Sequence, residues 1–135
     1  MDLGKVRVDV TRSKAGEWVK DIPGLDDIEF KVRGSNSPHF RTAQVKAQRA
    51  IPREARKDGL VDPEAADMAL GKALAEILLD WKNVRSGETE IAYSPETALT
   101  LLTDPELTIF RDGVAYAADY VASLRKEDEE TALGK

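Results

Sequence analysis

The sequence predicts a mainly α, α+β fold: a small N-terminal antiparallel β-sheet followed by about four α-helices. Three observations carry this reading. Val6, Val8 and Val10 alternate with Arg7 and Asp9, and Ile28, Phe30 and Val32 alternate with Glu29, Lys31 and Arg33. That two-residue period is the mark of a strand with one buried face. Ser37-Pro38, Asp62-Pro63, Ser94-Pro95 and Asp104-Pro105 each set a good N-cap residue before a proline. The cap side chain accepts from an orphan amide, and a proline in the first turn has no amide to leave unpaired. After these starts, apolar residues recur at helical spacing.

In chain order, Val6–Val10 reads as the first strand, Lys14-Ala15-Gly16 as a turn, and Trp18-Val19 as a further short strand. Pro23-Gly24 makes the next turn, and Ile28–Val32 the strand after it. Residues 1–34 form this β-hairpin or sheet region. The first helix is expected from Ser37 to Lys57, with Phe40, Ala43, Ala47, Ala50 and Ile51 on one side. Pro52 should kink or interrupt it and Asp58-Gly59 stop it. The second runs from Asp62 to about Trp81, with the stripe Ala66, Leu70, Ala73, Leu74, Ile77 and Trp81. Met68, Ala75 and Leu79 lie opposite that stripe, as in a helix packed on two sides. Asn83–Glu90 is a polar turn, Ile91-Ala92-Tyr93 an extended piece, and Glu96–Leu102 a short third helix. The last helix runs from Glu106 to about Leu124, with Phe110, Val114, Ala117, Ala118 and Val121 on its stripe. Gly113 reads there as a flaw of about 1 kcal/mol against alanine. Residues 35–125 make the helical domain and 126–135 a charged flexible tail.

The 135 residues suit one domain, or a domain with a small appendage. Cysteine is absent, which excludes disulfides, a thiolate nucleophile and a Cys zinc site. The single histidine, His39, excludes multi-histidine metal sites, and any Ser-His-Asp triad would have to pass through it. Neither Gly-Lys pair follows a glycine-rich loop at phosphate-loop spacing, and no Gly-x-Gly occurs. The acid clusters Asp26-Asp27, Asp104/Glu106 and Glu127–Glu130 fall at turns, a helix start and the tail. The expectation is a protein that is not an enzyme and uses no cofactor or metal. A hydrolase built on His39 or a carboxylate pair is the weaker alternative. The N-terminus shows no apolar export region and no stretch approaches the ~20 apolar residues of a span, so cytoplasm is expected and no membrane partner.

Net charge is −5, but it is unevenly placed. Met1–Leu60 holds thirteen bases and nine acids, and Val61–Lys135 seven bases and sixteen acids. The basic stretch Arg41–Lys57 has six Lys or Arg against Glu54 alone. It could track phosphates, which makes a small nucleic-acid-associated protein the alternative function. It could equally be one half of a charge-complementary protein interface, an asymmetry that suits head-to-tail association of identical subunits. The candidate interface residues are Arg41, Lys46, Arg49 and Arg53, then Met68 and Leu79 from the second apolar face, and Trp18, which is either core or a partner hot spot. Trp81 and Tyr93 are assigned as structural anchors.

Asp80-Trp81-Lys82-Asn83-Val84, a polar turn with Gly87, then Ile91-Ala92-Tyr93-Ser94-Pro95-Glu96 and Leu101-Leu102 resemble a passage of the small tail assembly chaperones of long-tailed, siphophage-like bacteriophages and prophages. Phe30-Lys31-Val32-Arg33-Gly34-Ser35 before the basic helix is similar to the strand-to-helix entry of those proteins. The resemblance extends in order over roughly Leu25 to Leu124. It implies a non-catalytic, mainly helical assembly factor of the host cytoplasm. Such a protein binds the tape measure protein, keeps it soluble, and helps tail tube protein polymerise around it. It would self-associate into a ring or spiral and be absent from the mature virion.

Overall fold

The alternation of Phe30 and Val32 builds the centre of the fold. In a computed structural model that describes residues 1–127, both side chains are fully buried. They sit on β2 (Glu29–Val32), the middle strand of an antiparallel sheet. One neighbour is β1 (Glu17–Val19), with Val19 opposite Phe30. The other is β5 (Leu78–Lys82), with Trp81 opposite Phe30. Ahead of the sheet stand a 3-10 turn (Leu3–Val6) and a short helix, α1 (Val10–Ala15). Between β2 and β5 come α2 (Pro38–Arg49), a 3-10 turn (Arg53–Ala55), the hairpin β3 (Arg56–Lys57) and β4 (Leu60–Val61), and α3 (Pro63–Ile77). After β5 come the hairpin β6 (Arg85–Ser86) and β7 (Thr89–Glu90), then α4 (Pro95–Leu102) and α5 (Thr108–Ser123).

The chain is thus a mixed α/β fold, with strands distributed along it. This corrects the expectation of a mainly α chain whose only sheet precedes the helices. The second expected helix ends at Ile77, and the next five residues are the strand β5. The stripe misleads because Ile77 and Trp81 are four residues apart and both are buried. That spacing serves a helix, but it also serves a chain that turns from helix into strand. The expected strand at Val6–Val10 is absent. Asp2 accepts from the Gly4 amide and Asp9 from the Arg12 amide, so local caps organise this segment, and only Val8 bridges to Arg125. Val6, Val8 and Val10 are exposed, so their alternation serves no buried face.

The first expected helix stops at Arg49, before Pro52. Asp58 and Gly59 form the two-residue turn of the β3–β4 hairpin, both with positive φ, the geometry that matches strand twist. Ser37 and Ser94 cap as their sequence context suggests: their hydroxyls accept from the amides of Phe40 and Thr97. Asp62 stands at the N-cap of α3 without a side-chain bond. Asp104 instead accepts from Glu106, so α5 begins at Thr108, later than expected. Of the expected tail 126–135, residues 128–135 lie outside the described residues.

Helix α5 lies across the sheet. Phe110 meets Phe30 edge-on at 5.2 Å and Trp81 at 5.9 Å between ring centres. Edge-to-face pairs of this kind add about 0.5–1.5 kcal/mol beyond burial. Trp81 also stands edge-on to Tyr93 at 5.1 Å. Its indole N–H donates to the Ile91 carbonyl at 2.7 Å, and the Tyr93 hydroxyl donates to the Leu78 carbonyl at 2.7 Å. These two bonds tie the segment entering α4 back onto β5. The Asp80–Glu96 passage is therefore a clasp, with the β6–β7 hairpin looping out between its two arms.

Two glycines mark close approaches. A β-carbon on Gly71 of α3 would stand 2.2 Å from the Leu102 carbonyl oxygen at the end of α4. One on Gly113 of α5 would stand 2.2 Å from Cδ1 of Leu25. Gly113 is therefore the seat of Leu25, which corrects its reading as a flaw.

Two outcomes follow from these contacts. Gly71→Ala gains about 1 kcal/mol of helix propensity, yet it drives a β-carbon into backbone, and overpacking costs about 1–3 kcal/mol or more. The expected result is a lower urea midpoint with an unchanged slope. Burial, and then the charges of Asp80 and Glu96, hold the Tyr93 phenol above its ordinary 10.0. Folding therefore favours the protonated form. Its contribution is complete below pH 10.0 and is lost as pH rises through the higher folded-state value. Tyr93→Phe should cost about 1 kcal/mol at neutral pH. It should also flatten the alkaline fall in stability, read from urea unfolding on both sides of pH 10.0.

Candidate functional site

Helix α2 has two distinct sides. Phe40, Ala43 and Ala47 face inward and are buried, while Arg41, Val45 and Arg49 recur at four-residue steps on the outside. Small residues let α3 lie close alongside: Ala47 of α2 packs with Ala69 of α3, and Ala43 and Ala73 are both buried in the main core. The two helices and the start of α4 enclose an open groove of about 440 Å³. Alanines 43, 47, 50 and 75, with Pro95 and Leu99, give it an apolar lining. Lys46 and Lys72 supply positive charge along it, and Glu76 and Glu96 negative charge. Leu99 is 42% exposed, unusual for a leucine on a helix that also buries Ala98 and Leu102.

The expected interface residues fall in separate places. Arg41, Lys46 and Arg49 are exposed on successive turns of α2, and Lys46 also lines the groove. Arg53 is exposed at the head of the second 3-10 turn. Met68, on α3, is exposed and lies across the seam from Ile51, lining both a small pit there and a depression with Asp67, Thr108 and Arg111. Trp18 and Leu79 belong to the sheet. Trp18 lies half-exposed on β1, with the Lys82 ammonium 4.2 Å from the centre of its ring. Leu79 is half-buried on β5, and a β-carbon on Gly16 would stand 2.7 Å from its Cδ1. Trp81 is buried and Tyr93 half-buried, both within the clasp. His39 is exposed in the first turn of α2, beside a depression shared with Arg33, Thr42 and Glu76.

One surface escaped the sequence reading. Ile109, Tyr116 and Tyr120 of α5 are 64%, 43% and 47% exposed. They lie off the buried stripe of Phe110, Val114, Ala117, Ala118 and Val121. That displacement was the available signal: aromatics outside the core stripe of a surface helix have no internal reason to be there. Among the described residues, no group of three His, Asp or Glu side chains converges where a metal ion could sit. No helix among them is long and apolar enough to cross a membrane.

No curated protein and no solved structure matches the chain. A family model does, over residues 35–135, under the description YdaY prophage protein. The matched span begins just before α2 and takes in α3, the clasp, α4 and α5, hence both the groove and the aromatic face. On that extent of agreement, the chain belongs to the YdaY prophage protein family.

Proposed function

We propose that this prophage protein is a non-catalytic tail assembly chaperone. In the host cytoplasm it binds the tape measure protein, keeps it soluble and promotes tail tube polymerisation around it, self-associating into a ring or spiral as it does so. The observation that carries this reading is the alanine-lined groove between α2, α3 and α4. An amphipathic helix of a long client lays its apolar side chains into such a groove, and small residues beneath let its backbone come close. Lysines and glutamates beside the apolar lining select charges on the client and so set its register.

The passage resembling tail assembly chaperones supports the same reading through its position. The Trp81–Tyr93 clasp holds the entry to α4, and α4 contributes Pro95, Glu96 and Leu99 to the groove. The residues of the resemblance therefore shape the wall against which a client would rest.

The test is co-expression with the tape measure protein of the same prophage. The client should shift from the insoluble to the soluble fraction and co-elute with this protein. Leu99→Asp places a charge on the exposed wall of the groove and should weaken the complex about tenfold or more, roughly 1.4 kcal/mol. Its circular dichroism should be unchanged, because Leu99 is exposed. A client equally insoluble with and without this protein, or the absence of any complex, overturns the proposal.

A further inference from the structure

We infer that copies of this chain join head to tail, with the outward face of α2 in one copy packed on the outward face of α5 in the next. The inference assigns faces to the self-association contained in the proposed function, and rests on that part of it alone.

Each face is an exposed surface with a definite pattern. On α5, Asp112, Tyr116 and Asp119 lie at steps of four and three residues, so they share one side of the helix, with Ile109 and Tyr120 beside them. All five are exposed. On α2, Arg41, Val45 and Arg49 lie at steps of four, and Val45 is 51% exposed. The surface there is a shallow depression lined by these three with Thr42 and Lys46. The outer sector of a surface helix is ordinarily polar. Here each sector carries apolar or aromatic side chains with charges on either side.

The two patterns are complementary. Arg41 and Arg49 are eight residues apart, about 12 Å along the axis at 1.5 Å per residue. Asp112 and Asp119 are seven apart, about 10.5 Å. An exposed valine sits between the cations and an exposed tyrosine between the carboxylates. Laid together, each arginine meets an aspartate, and Val45 meets Tyr116. Lys46 adds a third cation, and α2 contains no acid. Among the described residues, Arg41, Lys46 and Arg49 form no ion pair within the chain. The one cation on α5, Arg111, is largely buried and already engaged by Asp67 and Asp112, each at 3.6 Å. Asp112 remains mostly exposed.

Charge also fixes the kind of contact. Two α2 faces would set arginine against arginine, and two α5 faces aspartate against aspartate. The unlike pairing avoids both. It joins different patches, so every added copy presents a free α2 face at one end and a free α5 face at the other. Such a contact closes into a ring or continues as a spiral according to the rotation between copies.

The experiment measures mass by light scattering on the full chain across a concentration series. The wild type should grow in mass with concentration and shrink with added salt. R41E/R49E and D112K/D119K each place like charges across the contact, and each should weaken self-association about a hundredfold or more. A single chain carrying all four changes has its charges exchanged and should assemble again. So should an equimolar mixture of the two double variants, which keeps the test open if the quadruple variant fails to fold. Circular dichroism follows folding throughout. A wild type monomeric at every concentration overturns the inference, as do double variants that assemble like the wild type, or folded variants that restore nothing when combined or mixed. Client solubilisation is scored separately: unaltered oligomers in the variants remove the face assignment while leaving the chaperone reading standing, and a client left insoluble by a wild type that assembles removes the chaperone reading while leaving the face assignment standing.

Discussion

The pairing of β2 with β5 is the constraint on which the rest of the fold depends. It brings Phe30 opposite Trp81, residues from distant parts of the chain, and sets both beneath Phe110 of α5. To reach that register the chain passes from α3 into β5 with no linker between them. The direction of α3 is therefore coupled to the direction of the strand. Because α2 packs along α3, the coupling extends to the groove. Trp81 then acts in two directions: its ring fills the space under α5, and its indole N–H holds the segment that leads into α4. One aromatic side chain thus relates the sheet to both α4 and α5.

What was legible in the sequence was whatever short-range chemistry decides. Ser37 and Ser94 announce helix starts because a hydroxyl and an amide three residues on satisfy each other without help from the rest of the chain. The strand around Phe30 was visible because it has one buried face. β5 was not, because Leu78, Leu79 and Trp81 fit the spacing of the helix before them as well as that of a strand. Only the presence of β2 decides between the two, and a partner so distant in sequence leaves no local mark. The N-terminal valines show the converse. Their alternation is genuine, but Asp2 and Asp9 satisfy nearby amides first, and the segment curls into turns.

The candidate surfaces divide in the same way. The concentration of Lys and Arg after Arg41 is a property of composition and could be counted. Which of those residues share a side of α2 depends on the helix ending at Arg49 instead of running on to Lys57. The groove could not be read at all, since it arises where three helices approach one another, and its alanines carry no chemical signal of their own. A net charge of −5 conceals this arrangement, in which cations line one exposed helix and carboxylates another.

The approach of α3 to the end of α4 at Gly71 has a mechanical consequence. With a hydrogen in place of a side chain, backbone rests almost directly on backbone, and no rotamer is left to absorb displacement. Leu102, which makes that contact, lies one helical turn beyond Leu99, which lines the groove. The spacing of the groove's walls is therefore set by a contact with little compliance. A cleft held at fixed width gives up little conformational entropy when it is filled, so more of the contact energy is left to distinguish one occupant from another.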